Sequence, residues 1–189
     1  EIRRFYFAPQ PIIITKSNVG SRVHRRAHMD YIGIKTYRPD GALAGELRIV
    51  GLFTARAYTG PPQQIPFLRL KVARVLASSG VQPGSHAHRV LQNILDTFPR
   101  DELIQIGVRQ LTSWVPALLD LELRPRLRVF SRIDRFDRFV SVIVFLPRDG
   151  YTTGTRETIG RILAEAYNGR VSAYQPFFTA GPLVRAHFI

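Results

Sequence analysis

The sequence predicts an α+β protein made of two small modules, each an antiparallel sheet with helices on one face. Three observations predict it. Strand-like runs open the chain: Ile12-Ile13-Ile14-Thr15, then Tyr31 to Tyr37, then Glu46 to Thr54. After Gly60-Pro61-Pro62 the apolar period changes from two to near 3.6. From Leu123 strands return around one further helix, in the order strand, strand, helix, strand, strand. That order suits a small open sheet with a helix on one face.

The elements follow from local chemistry. Arg38-Pro39-Asp40-Gly41 joins the second and third strands: proline pre-sets the first turn position and glycine relieves the last. Phe67, Leu68, Leu70, Val72, Val75 and Leu76 line a helix that Gly80 closes. Ser85 is the expected N-cap of a second helix with Val90, Leu91, Ile94, Leu95 and Phe98 on one face. Pro99, Asp101 and Glu102 start a third, because proline fits a first turn and acids favour the positive helix end. That helix is expected to carry Leu103, Ile106, Leu111, Trp114 and Leu118, with Pro116 kinking or ending it.

In the last third, Leu127–Phe130 and Phe139–Phe145 read as strands, and Asp134-Arg135-Phe136-Asp137-Arg138 between them must turn. Thr155 to Ala166 reads as a helix with Ile159, Ile162, Leu163 and Ala166 inward, stopped by Asn168-Gly169 in a left-handed conformation. Two more strands are expected, near Val171–Tyr174 and Leu183–Ile189. The organisation is therefore residues 1–62 as a sheet, 63–122 as a helical connector and 123–189 as a second α+β module. The first residue is Glu, and the last seven alternate like a strand with no polar tail after them. The chain thus reads as a piece of a longer one, with its second module truncated.

Composition bounds the function. The chain has 189 residues, 45% of them hydrophobic and 22% charged, which describes a protein with a packed core. With no cysteine, disulfides and thiolate metal sites are excluded, and a reducing, cytoplasmic setting is the natural one. No apolar run approaches the ~18 residues that a membrane span needs. The net charge of +13 makes a basic nucleic-acid-binding module the alternative reading. Against it, the charge is spread evenly and no block of like charge forms a tail.

No residue constellation calls for catalysis. There is no phosphate-cradling glycine loop and no nucleophile elbow. His24 and His28 are four apart, but the residues after them read as a strand, so no metal ligand set is assigned. His86 and His88 are two apart in a helix's first turn and face different ways. Asp101 and Glu102 are explained by their place at a helix start. Arg135 to Val142 echoes the aromatic strand of an RNA-recognition motif but lacks its glycine and its last aromatic. No catalytic, cofactor-binding or metal-binding residue is therefore expected. The densest basic patch is Arg22, His24, Arg25 and Arg26, which could hold an anionic ligand or meet an acidic surface of a neighbouring module.

Four stretches together resemble a known family. They are Ser21-Arg22-Val23-His24-Arg25 leading to Met29-Asp30-Tyr31-Ile32-Gly33-Ile34-Lys35; Gly51-Leu52-Phe53-Thr54 with Ala57-Tyr58; Pro83-Gly84-Ser85-His86 through Asn93 to Leu103; and Arg126–Phe130 through Asp134, Arg138-Phe139-Val140-Ser141 and Pro147-Arg148-Asp149. In this order they resemble the non-catalytic N-terminal half of the large bacterial NAD-specific glutamate dehydrogenases. That family deaminates L-glutamate oxidatively to 2-oxoglutarate and ammonia. The resemblance implies that NAD and substrate bind in a later domain and that this segment needs no cofactor of its own. It implies PAS-like and ACT-like (ferredoxin-like) modules joined by helices, serving regulation and oligomer assembly. Residues from 123 onward would be ACT-like, and the first sheet the end of a PAS-like module. The expected partners are other modules of the same polypeptide and further copies of it. An amino-acid effector is allowed for, and neither nucleic acid nor membrane is required. The departures are Asp137, where the hairpin is expected to hold glycine, and Ala87-His88, which replace a smaller, more acidic pair.

Overall fold

A computed structural model describes residues 7–23 and 27–189. The fold is α+β, with two antiparallel sheets and helices. The chain divides into two compact units: Glu1–Arg74 with Leu95–Ile106, and Val75–Ile94 with Gly107–Ile189.

The first unit is built on a three-stranded sheet of β1 (Ile12–Gly20), β2 (His28–Tyr37) and β3 (Leu43–Gly51), in that order. The predicted turn is present. Gly41 donates its N–H to the Arg38 carbonyl at 2.9 Å and has φ of +82°, a value only glycine takes without strain. The pairing sets Ile12 beside Ile34 and Leu47, and Ile14 beside Ile32 and Ile49, so one face carries two aliphatic rows. The other face buries Ile13, Thr15 and Lys35. Gly33 lies on it because a Cβ there would come within 2.9 Å of the Tyr31 ring. Tyr31 crosses this gap to donate its hydroxyl to Glu46.

The third strand runs Leu43–Gly51 rather than Glu46–Thr54. Residues 55–59, unassigned from sequence, form a one-turn helix, α1 (Ala55–Thr59). Helices α2 (Leu68–Ser78), α3 (His86–Thr97) and α4 (Arg100–Gln105) come next. Gly80 has φ of +72°, as a helix stop requires. The Ser85 hydroxyl accepts the His88 N–H at 3.1 Å, the expected cap.

The expected third helix is two helices. It breaks at Ile106-Gly107, where both residues are extended with ψ of 138° and 148°, and resumes as α5 (Val108–Leu123). Pro116, expected to kink or end that helix, lies inside it. The helix survives because Leu111, Val115, Leu118 and Leu121 are all buried on one stripe. Each is worth roughly 1.5–3 kcal/mol, which together exceeds the ~3 kcal/mol cost of an internal proline.

In the second unit, β4 (Arg128–Ile133), β5 (Val140–Pro147), α6 (Thr153–Ala166), β6 (Tyr174–Phe178) and β7 (Leu183–Phe188) give a four-stranded sheet of order β4-β5-β7-β6. The sixth strand starts at Tyr174, where it pairs with Phe188, and not at Val171 as expected; residues 171–173 precede it. Ile159 and Leu163 of α6 pack on Val142, Val144, Val184, Ala186 and Phe188. Trp114 of α5 lies 5.1 Å from Phe130. Helix α6 ends as predicted: Asn168 has φ of +47°, Gly169 donates to Ala164, and Asn168 donates to Glu165.

Candidate functional site

The basic patch expected at the start of β2 is described only in part. Arg22 is exposed, and His24, Arg25 and Arg26 lie outside the described residues. His28 is exposed at the first position of β2. A buried polar cluster lies elsewhere in the first unit, around a residue that sequence reasoning passed over.

Lys16 occupies β1, and its side chain is only 13% exposed. Its ammonium donates to Asp30 of β2 at 2.6 Å and to the Tyr58 hydroxyl of α1 at 2.7 Å. At 3.0 Å from Asp101 of α4 it also makes an ion pair that lacks hydrogen-bond geometry. The second oxygen of Asp30 accepts the Phe53 N–H at 2.6 Å. Burial acts to lower the Lys16 pKa, but the Asp101 charge and the hydrogen bonds to Asp30 and Tyr58 outweigh it, so the net shift is upward. The Tyr58 hydroxyl is pushed up to about 12, first by burial and then by Asp101. One residue before Lys16, Thr15 donates to Gln105 at 3.0 Å. Three of the stretches that carry the family resemblance thus meet on Lys16, through Asp30, Tyr58 and Asp101.

A second lysine explains the break after α4. The buried Lys71 of α2 donates to the carbonyls of Leu103, Ile104 and Ile106 at 2.9, 2.7 and 2.7 Å. Those oxygens would otherwise accept from the next helical turn, so the ammonium acts as the helix cap. Asp101 and Glu102, adjacent in sequence, have different surroundings: Asp101 reaches Lys16, whereas Glu102 is 1% exposed.

The second unit has two smaller clusters. Asp134 accepts from Arg138 at 2.7 Å and from the Phe136 N–H at 3.0 Å, so one carboxylate ties the β4–β5 turn. Burial opposes ionisation of Asp134, yet the Arg138 hydrogen bond and charge hold its pKa below the usual carboxylate value. Asp137 has φ of +57°, the conformation that a glycine would adopt freely at this position. On the face covered by α5, Ser141 and His187 are 2.8 Å apart and buried. Arg185 lies over the Phe177 ring at 4.5 Å, and burial lowers its pKa to about 10.

Chemically, these groups hold elements together. The polar atoms of Lys16, Asp30, Tyr58 and Lys71 are engaged by partners within the unit, which anchors β1, β2, α1, α2 and α4. Among the described residues no group of three or more His, Cys, Asp or Glu is placed to hold a metal ion, and no helix is long and apolar enough to cross a membrane.

Comparison with known proteins matches this architecture. Residues 65–124 match the family model "Glutamate dehydrogenase, helical motif 1", and residues 128–189 match "Glutamate dehydrogenase, ACT2 domain". The chain is 35% identical over 181 residues to an NAD-specific glutamate dehydrogenase of Halomonas elongata, covering 96% of this chain and 11% of that protein. It is 36% identical over 182 residues to one from Pseudomonas aeruginosa, covering 95% of this chain and 11% of the relative. For one from Mycobacterium tuberculosis the identity is 30% over 178 residues, covering 94% and 11%. The chain therefore spans about a tenth of the length of these relatives.

Proposed function

Because this chain belongs to the glutamate dehydrogenase family, in the part that carries helical motif 1 and the ACT2 domain, we propose that it is a regulatory and assembly segment with no catalysis of its own. The parent enzyme would convert L-glutamate to 2-oxoglutarate and ammonia with NAD bound in another domain, in the cytoplasm. Residues 1–62 are the end of a PAS-like module, 63–122 a helical connector and 123–189 the ACT-like module.

One observation carries this reading: the Lys16 cluster is consumed in tying strands to helices. An ammonium flanked by two carboxylates and a phenol is already neutralised, and no donor is left aimed at a reacting atom. The segment would act by packing on other modules and on copies of itself. Any effector must bind two states of the enzyme unequally. An amino acid fits a sheet-edge site, where backbone groups can meet a carboxylate and an ammonium.

Two measurements test this. The purified chain with glutamate and NAD should produce no NADH absorbance, and turnover would refute the reading. Calorimetric titration with the twenty amino acids should give heat for at least one of them at millimolar concentration. Silence across all twenty removes the effector.

The +13 charge favours one second reading, a polyanion-binding module. It predicts a complex with RNA or DNA at low salt that weakens steeply as salt rises. A gel shift without a complex excludes it.

A further inference from the structure

The end of helix α6 carries a reactive dipeptide whose chemistry the fold itself controls. We infer that Asn168 is a site of spontaneous deamidation, gated by opening of the last turn of α6. The inference does not depend on the assembly role proposed above.

The asparagines of the chain are Asn18, Asn93 and Asn168. All three are exposed, so access to water does not separate them. Deamidation begins when the backbone nitrogen of the next residue attacks the side-chain amide carbon. Val19 and Ile94 follow the first two, and their branched side chains crowd that nitrogen. Glycine follows the third, so no side chain obstructs the attack there. Asn18 and Asn93 also lie inside β1 and α3, whereas residues 165–173 around Asn168 are exposed throughout.

The reaction balances with water alone. The Gly169 nitrogen gives its proton to solvent base and bonds to Cγ of Asn168. The Cγ–Nδ2 bond breaks, and ammonia leaves with a proton taken from solvent. The cyclic imide then adds water at either carbonyl and opens to aspartate or isoaspartate.

The fold holds this attack back. Gly169 donates its N–H to the Ala164 carbonyl at 2.9 Å, and Asn168 donates to Glu165 at 3.2 Å. With Asn168 at φ of +47°, these two bonds are the helix stop. The nitrogen that must attack is therefore the donor that closes the helix, and it is released only when the last turn frays. Helix ends open at a lower free energy than the core, so the native chain should convert in proportion to its open fraction. The product does not fit the stop. A carboxylate at 168 lies at the negative end of the α6 dipole, three residues from Glu165. Isoaspartate lengthens the main chain by a carbon, so the two stop bonds no longer close together. Beyond the stop the chain folds back on α6, where a Cβ on Gly160 would lie 3.5 Å from Val171, and Ser172 and Ala173 then donate to Ile189. Deamidation thus loosens the approach to β6, and does so irreversibly.

The test is to hold the purified chain at mildly alkaline pH and map its peptides by mass spectrometry over time. Asn168 should convert from amide to acid, with isoaspartate among the products, while Asn18 and Asn93 keep their amides. Gly169→Ala should slow the conversion by about tenfold or more, equivalent to a rise of ~1.4 kcal/mol in the barrier. Urea well below the unfolding midpoint should speed it, since the helix end opens before the core. Asn168→Asp carries one product from the start, and its amide exchange in residues 164–173 should quicken while that of β5 stays the same. Asn168→Gly keeps a residue suited to the left-handed stop and should show neither ageing nor faster exchange. Conversion at Asn18 or Asn93 before Asn168 overturns the site. So does a native chain that keeps the Asn168 amide after a fully unfolded sample has lost it. A rate indifferent to urea overturns the gating, and unchanged exchange in Asn168→Asp overturns the loosening.

Discussion

The Lys16 ammonium lies 2.6 Å from the Asp30 carboxylate, on adjacent strands, with the two side chains 13% and 3% exposed. An ion pair this far from water behaves differently from a surface pair, because removing one partner leaves the other charged and desolvated. Lys16→Met should therefore destabilise the first unit by about 3–5 kcal/mol, leaving Asp30 and Asp101 without their shared cation. The midpoint of urea unfolding measures it. A loss below about 0.5 kcal/mol would class the pair with solvent-exposed bridges.

Alkaline pH should weaken the fold. Lys16 is raised above its ordinary 10.5, and Tyr58 and Tyr31 are raised from 10.0 to about 12. For a group whose folded pKa is raised, the unfolded chain releases its proton first. The stabilisation is therefore complete below the unfolded value and lost as pH rises through the folded one. Melting temperature should hold to about pH 10 and fall between pH 10 and 12. Tyr58→Phe should flatten that fall. At the other end, Asp134 is shifted downward, so its contribution is present above its unfolded pKa and lost as pH drops through the folded one.

Asp137 occupies the left-handed region at φ of +57°. Most L-residues are strained there, aspartate less than most because its short side chain can hydrogen-bond locally, and glycine is not strained at all. Asp137→Gly should stabilise the chain by about 0.5–1 kcal/mol, and a β-branched Asp137→Val should destabilise it. Denaturant midpoints of the two variants should fall on opposite sides of the parent.

Lys71→Met should open the α4–α5 junction, because three buried carbonyls lose a charged donor. The expected loss is about 2–4 kcal/mol, by the cost of leaving buried acceptors unsatisfied. Amide exchange should quicken in residues 100–107 well before it does in β5. Unchanged exchange there would show that the lysine is not the cap.

The elements easiest to read from the sequence are those written in local chemistry. The Arg38–Gly41 turn, the Ser85 cap and the Asn168-Gly169 stop each depend on residues within a few positions of one another. Strand β6 starts three residues later than its pattern suggests: Ser172 and Ala173 hydrogen-bond only to Ile189, beyond the end of β7, and the ladder with β7 itself begins at Tyr174 opposite Phe188. The helix break falls at Gly107 and not at Pro116, because the buried stripe on α5 outweighs the proline, and Lys71, 32 to 35 residues away, caps the break. The Lys16 site is hidden for the same reason. Asp30, Tyr58 and Asp101 all stand inside the family-like stretches, yet only folding brings them to a lysine up to 85 residues distant.

The division of the chain changes hands at Arg74–Val75, Ile94–Leu95 and Ile106–Gly107, two of them inside helices. The amino-terminal unit borrows residues 95–106 from beyond a stretch that belongs to the other one. On the ribosome it must wait for that loan: its last twelve residues emerge only after part of the next unit is already outside. A truncation at any single peptide bond leaves one half incomplete, and a fragment that holds either unit whole, 1–106 or 75–189, carries residues of the other with it.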